Sequence, residues 1–301
     1  MGYFFLSLVL ISGAAKGFCG KKTGSSIVTS SDSVLINVFR MALCILIGFF
    51  LMLLQNEIAS LRADLPMLLV CVMSGVASSA FVVSWLLSVK SGAYMMVEVF
   101  LLIGVLVPLV LCRIFFGEEV GAWQAVGMVI LLVAVYIMCT YNTSIKGKMS
   151  ISSLLLLLLC GLSNGVADFS QKLFVKMQPN GSVAAFNFYS YVFAAMSMAI
   201  AYFVFRAGDM KGEIKPRPPL EVIKPIWYYV LIMAVCLFVN SFFKTRAAKY
   251  LSAVQLYPLN NGGAVMLSLF MAAVFFKERI NIRCIIGICL SFGALLMINF
   301  L

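Results

Sequence analysis

Histidine is absent from the chain, and charged residues make up only 11% of it. Without imidazole there is no Ser-His-Asp triad, no His-based zinc motif and no axial histidine for a haem. Acidic residues are scarce as well: 11 Asp and Glu face 22 Lys and Arg, and adjacent carboxylates occur only as Glu118-Glu119. A membrane-embedded transferase or hydrolase needs an acidic or histidine cluster for metal or acid-base work, so no enzymatic role is expected. The nine cysteines never form Cys-x-x-Cys and lie mostly within apolar runs. They read as buried small hydrophobes rather than as a disulfide framework or a zinc site. No Walker motif or phosphorylatable aspartate motif is visible, so direct use of ATP is not expected, nor is any metal or cofactor.

What fills the chain instead is apolar: 63% of its 301 residues are hydrophobic, and the mean hydropathy is +1.08. A hydrocarbon core about 30 Å thick takes roughly 20 apolar residues per spanning helix, and lipid offers an unpaired backbone group no partner. The composition therefore predicts an all-α, multi-pass membrane protein. A formal charge of +11 does not indicate nucleic acid, because no cluster of Lys and Arg interleaved with aromatics stands outside the apolar segments. The first apolar segment lacks a basic leader and a small-residue cleavage site, so it is expected to remain as a helix.

Two stretches mark an internal repeat. Phe115-Phe116-Gly117-Glu118-Glu119-Val120 recurs 160 positions later as Phe275-Phe276-Lys277-Glu278-Arg279-Ile280, and the same offset carries Ala93 onto Ala253, Gly127 onto Gly287 and Ala134 onto Ala294. The pair serves as register, with no chemistry expected of it. Apolar segments run from 2 to 19, 34 to 54, 66 to 89, 93 to 116 and 123 to 141, then again from 151 to 174, 182 to 205, 226 to 249, 252 to 276 and 282 to 301. The expected organisation is ten transmembrane helices in two five-helix repeats, residues 1–145 and 146–301. An odd number per half inverts the second half relative to the first, the plan of many transporters, whose substrate lies near the midplane between repeats.

Charge distribution speaks to orientation. Odd-numbered connections hold thirteen Lys and Arg against five in the even-numbered ones, so the positive-inside tendency places the odd connections in the cytoplasm and both termini outside.

The aromatic-rich helix, the short Gly/Lys-Glu turn and the Gly-bearing last helix of each half, seen at Ile114 to Val120 with Gly127 and at Val274 to Ile280 with Gly287, resemble the drug/metabolite transporter superfamily, and within it the EamA-like members of bacteria. The resemblance covers essentially the whole chain. It implies residence in a bacterial plasma membrane and, against the charge count, both termini in the cytoplasm.

Polar groups inside apolar helices cost free energy and normally face a cavity or each other. Glu98 stands alone on the fourth segment, as a proton-coupling carboxylate or as the ion-pair partner of Lys16, Lys244 or Arg246. Lys16 falls opposite Asn164 when Gly13-x-x-x-Gly17 is matched to Gly161-x-x-x-Gly165. Asn164, Asp168 and Gln171 share one helical face, at i, i+4 and i+7, as do Asn240 and Lys244. In the ninth segment Gln255, Tyr257, Asn260 and Asn261 surround Pro258, with Gly262 and Gly263 behind, a composition suited to a broken-helix site; the repeat register sets Pro258 opposite Glu98. The expected substrate contacts are thus Lys16, Glu98, Asp168, Gln171, Asn240, Lys244, Gln255, Tyr257, Asn260 and Asn261. Trp85, Phe186, Tyr189, Tyr191 and Tyr257 either stack on a ligand or belong to the interfacial belt. Arg40, Arg246 and Lys249 are expected to reach the membrane surface by snorkelling, and the fifth and tenth helices to pack together or face lipid.

The leading functional expectation is a secondary transporter, an exporter of a small organic metabolite or drug-like solute, working by alternating access as a monomer or weak dimer, with protons coupled through Glu98 or Asp168. The alternatives are uncoupled exchange of anionic solutes such as sugar phosphates or nucleotide sugars, as in relatives within the superfamily, and a non-transporting membrane scaffold.

Overall fold

The computed structural model describes the backbone of residues 1–24, 26–91, 94–146, 151–211, 217–275 and 282–300; the side chains of 90–91, 94–96, 98–99, 135, 138–146, 269, 272–273, 283–284, 288 and 299–300 lie outside the description. Among the described residues the fold is helical throughout, with no strand. The helices are α1 (Gly2–Gly24), α2 (Ser30–Leu54), α3 (Leu65–Ser91), α4 (Tyr94–Gly104), α5 (Leu106–Phe116), α6 (Ala122–Lys146), α7 (Ile151–Met177), α8 (Val183–Asp209), the short α9 (Pro219–Ile223), α10 (Trp227–Ala247), α11 (Ala253–Val274) and α12 (Ile282–Phe300). Six of them, α1, α2, α3, α7, α8 and α10, are long and apolar enough to cross a membrane. The chain is a multi-pass membrane protein. Large apolar side chains such as Phe50, Val129, Leu132, Ile200, Phe203 and Val204 point outward, which lipid tolerates and water does not.

Local chemistry sets the helix ends. Thr29 and Ser252 open α2 and α11 with reciprocal capping boxes, using Asp32 and Gln255. Gly117, at φ 64°, closes α5 in the left-handed conformation that glycine adopts without strain.

The sequence reading places the broken helix at Pro258, and the structure places it elsewhere. Helix α11 runs without interruption through Pro258. The break falls at Val105, between α4 and α5, where Pro108 has no N–H to give the carbonyl of Gly104. Gly104 is also where α7 crosses: a Cβ there would lie 2.2 Å from the Gly161 carbonyl oxygen, and one on Gly165 would lie 2.3 Å from that of Gly104. The Gly161-x-x-x-Gly165 pair thus brings two backbones together, as small residues do between helices in lipid.

Helices from the two halves of the chain pack against each other. Helix α1 packs on α10 and α3 on α7, α2 on α8, α6 on α12, α4 on α7 and α1 on α11. The expected pairing of the fifth and tenth apolar segments is the α6–α12 contact, where Gly127 meets Ala294 and Ile298.

Replacing Gly165 with Leu is expected to destabilise the bundle by about 1–3 kcal/mol through overpacking. At Gly208 nothing lies within 4 Å of an added Cβ, so Gly208→Ala should stay within about 0.5 kcal/mol. Thermal unfolding of the two variants in detergent micelles is the measurement.

Candidate functional site

A cavity of about 80 Å³ lies in the middle of the bundle, lined from both halves of the chain. Lys16 on α1, Asn164 and Gln171 on α7, Asn240, Ser241 and Lys244 on α10, and Asn260 and Asn261 on α11 supply its polar wall; Met41, Phe81, Leu101 and Tyr191 supply much of the apolar one. Six of the ten expected contacts therefore line one space: Lys16, Gln171, Asn240, Lys244, Asn260 and Asn261.

Helical periodicity explains the convergence. Residues at i, i+4 and i+7 stack on one face, and the polar face of α7 meets the polar face of α10. Asp168, fully buried, accepts from Lys244 Nζ at 2.5 Å. Asn164 Nδ2 donates to the other carboxylate oxygen at 3.4 Å, and the Tyr257 hydroxyl donates to the Asp168 backbone carbonyl at 2.6 Å. Asp168 and Tyr257 are not wall residues: they stand behind the wall and hold Lys244 and α11 in place.

From this centre a chain of hydrogen bonds crosses the bundle. Gln171 Nε2 donates to Ser241 Oγ at 3.3 Å, and Ser241 Oγ pairs with Asn187 Oδ1 at 2.5 Å. Asn240 Nδ2 donates to the Val9 carbonyl at 2.8 Å, tying α10 to α1. Gly13 faces the same amide, 3.4 Å from an added Cβ, so the missing side chain lets the two helices approach. Among the described residues, two atoms of this set meet no hydrogen-bond partner, Gln171 Oε1 and Asn261 Nδ2. Both belong to cavity-lining residues and can bond a solute. Lys16 lies over the rings of Phe81 and Trp85, at 5.3 and 5.6 Å.

The remaining expectations separate. Gln255 serves the capping box of α11. The side chain of Glu98 lies outside the described residues, while Lys244, one of its expected partners, pairs with Asp168. Of the five expected aromatics, Tyr191 lines the cavity, as does Phe81, which was not among them; Trp85 is buried beside Lys16, Phe186 stacks on Phe174 at 4.4 Å, and Tyr189 donates to the Leu61 carbonyl at 2.6 Å. Lys249 reaches the Pro179 and Gly181 carbonyls near a helix end, and Arg246 lies over Phe242 at 4.9 Å.

Sequence reasoning missed two groups. Arg40 is completely buried rather than snorkelling; it is the eleventh residue of α2, about 15 Å from its start at 1.5 Å per residue, and that count was the available signal. Glu118 is a hub rather than a register mark. It accepts from the Ala253 amide at the start of α11 at 3.0 Å and lies 3.7 Å from both Lys172 and Lys176 on α7. Lys172 also donates to the Ala248 and Leu251 carbonyls. One turn thus ties together the ends of three cavity-lining helices, α7, α10 and α11. Nothing local in the sequence marks it.

Lys244→Met leaves the Asp168 carboxylate buried without its cation and is expected to cost about 3–5 kcal/mol, whereas adding Asp168→Leu should recover most of the loss. Equal destabilisation of the single and double variants, measured by denaturant unfolding in micelles, would contradict the pair's role.

Comparison with known proteins agrees with this architecture. The sequence profile of the EamA-like transporter family matches residues 151–300. No curated protein matches the chain. Among solved structures, one recorded as "Crystal structure of protein" aligns with a TM-score of 0.67 over 98% of this chain and 95% of its own, at 12% identity; at that identity the likeness concerns the fold alone. Through the match that spans its second half, the chain belongs to the EamA-like transporter family, a family of membrane transporters of small solutes.

Proposed function

We propose that this protein is a secondary transporter of a small organic solute, an exporter working by alternating access across a bacterial plasma membrane, with ten passes arranged as two inverted five-helix repeats. The observation that carries the reading is the polar cavity at mid-bundle, walled by both halves and backed at Lys244 by the buried Asp168 carboxylate. Lipid makes such a group of buried polar side chains costly, so a use for it is needed, and solute binding provides one.

Two further observations support the reading. First, the helix partnerships are preserved when each helix is exchanged for its repeat mate: α1 on α10 becomes α7 on α3, and α4 on α7 becomes α11 on α1. Inverted halves that share one set of contacts have two related arrangements, which is what rocking around a fixed site requires. Second, Glu118 with Lys172, Lys176 and the Ala253 amide holds α7 and α11 together at one end of the bundle, a contact that must open if solute is to leave by that end.

Proton coupling falls to Asp168 or Glu98. A proton on Asp168 removes the charge that holds Lys244, and so couples protonation to the cavity wall.

The experiment is reconstitution in liposomes. Uptake of amino acids, sugars, organic acids and amines is compared with empty vesicles, with internal pyranine reporting proton movement. Accelerated movement of at least one solute class is expected; none in any class would refute transport. Asp168→Asn and Glu98→Gln are then tested in an imposed pH gradient, and full gradient dependence in both removes these carboxylates as the coupling groups. A bulky maleimide tests the closed end: with a cysteine at Ala167, which lines the cavity, on a background cleared of other cysteines, Glu118→Gln is expected to raise labelling several-fold. Unchanged labelling would show that Glu118 does not hold that end shut.

A further inference from the structure

Three cations are buried among the described residues: Arg40, Lys172 and Lys244. Lys244 has Asp168, and Lys172 has Glu118 and two backbone carbonyls. Among the described residues Arg40 has no carboxylate partner. Its guanidinium presents five N–H donors, and among those residues the one hydrogen bond it makes is from NH1 to Asn37 Oδ1, at 2.6 Å, while Nε and NH2 meet no acceptor. A permanently charged group stripped of water and partner costs several kcal/mol, so this is an arrangement a stable fold would not keep for packing alone.

The surroundings are built to leave that charge available. Asn37, which takes NH1, is itself fixed by donating to the Ser33 carbonyl at 3.0 Å and the Val82 carbonyl of α3 at 3.3 Å. The ionisable neighbours of Arg40 are Cys19, Cys44, Cys236 and Tyr191, none of them an anion of ordinary strength. Cys44 and Tyr191 donate instead to the Ala234 and Leu237 carbonyls. Met41, next in the chain, and Tyr191 both line the cavity, which puts Arg40 just behind its wall. A methionine side chain, unbranched and flexible, gives way readily. The two unpartnered nitrogens share one edge of the planar guanidinium, and that edge accepts both oxygens of a carboxylate or two of a phosphate.

We propose that Arg40 is the docking site for an anionic group, carboxylate or phosphate, of the solute that occupies the cavity. The inference rests on the transporter reading and narrows it: the cargo has an anionic head that reaches Arg40 past Met41, and a polar body that meets Gln171, Asn260 and Asn261. The anionic group of the solute plays for Arg40 the part that Asp168 plays for Lys244.

The test compares matched pairs on the purified full chain in lipid nanodiscs at constant ionic strength. Succinate is set against succinamide, and glycerol 3-phosphate against glycerol, with putrescine as a cation. Thermal shift and microcalorimetry read binding, since a ligand of the folded state raises apparent stability. The expectation is that at least one anion binds and its neutral partner does not. Arg40→Gln should weaken that anion at least ten-fold, and Arg40→Lys should do so to a lesser degree because it keeps the charge but loses the fork. Arg40→Met without ligand should melt no lower than the native chain, since it removes an unpaired charge; a structural arginine would lower it. Carboxylate binding and phosphate binding each support the proposal and identify the head group. Preference for a neutral or cationic member overturns it, as does an anion affinity unchanged by Arg40→Gln. If Arg40→Gln does not fold, the selectivity of the native chain and the Arg40→Lys ratio decide the matter. Liposome transport of a neutral or cationic solute would sink the Arg40 assignment and leave transport standing, whereas transport of nothing would remove both.

Discussion

The rest of the interior depends on how one carboxylate is kept charged where water is scarce. Asp168 is fully buried, and a lone carboxylate in such a medium is costly by several kcal/mol. Its partners come from different helices: Lys244 from α10, Tyr257 from α11 through the backbone carbonyl, and Asn164 from its own α7. Meeting that demand fixes the rotation of α10 about its axis, and the rotation carries Asn240 to α1 and Ser241 toward Gln171 and Asn187. Each link exists because the previous one has oriented its helix. A polar network in low dielectric is strong when complete and costly when broken, so the cavity wall and the fold share one set of bonds.

Close approach is what lets the network close. Side-chain hydrogen bonds reach about 3 Å, and bulky residues at the crossings would hold the helices beyond that reach. The two halves place glycine at matched positions but spend it differently. Gly161 and Gly165 let α7 sit against the backbone of α4, whereas Gly13 leaves room for the amide of Asn240. The matched glycines thus give both helices thin faces, while the contact each one serves differs.

That divergence marks the boundary of what the sequence made legible. The helical architecture, the pairing of the last helices of the two halves and six cavity residues followed from periodicity and from the cost of polar groups in lipid, because those rules act within one helix. Gln255 has an equally local signature: Ser252 three residues before it makes a capping box with it, a pattern that the polar run after it obscures. Arg40 and Glu118 were missed because their roles depend on what other helices bring. Charge alone does not say whether an arginine reaches the interface or stays inside. A Gly-Glu-Glu turn does not say that it will cap a helix 135 positions away. Pro258 suggested a break, yet α11 absorbs it; Pro108, in a segment with less obvious polarity, is the proline beside an interruption.

The proposed inverted repeat poses a final physical problem, since two identical halves would close either end of the bundle equally well. The residues around Glu118 bear on that degeneracy. Matching Lys16 to Asn164, an offset of 148, sets Lys172 against Gly24 and Lys176 against Val28. At these two positions the second half has cations where the first has none, so the counterparts of Lys172 and Lys176 cannot rebuild the Glu118 pairs at the other end. Lys176 is half exposed, so its 3.7 Å pair with Glu118 is partly solvated and contributes at most about 1 kcal/mol, whereas Lys172 in the other pair is buried. A bias of about 1 kcal/mol favours one closed end by roughly five-fold, with every 1.4 kcal/mol a factor of ten. A solute with a few kcal/mol of differential affinity for the two arrangements can reverse such a preference. Stronger closure would trap the cargo, and a symmetric bundle would give it no direction of rest; weak, one-sided ion pairing lies between those limits.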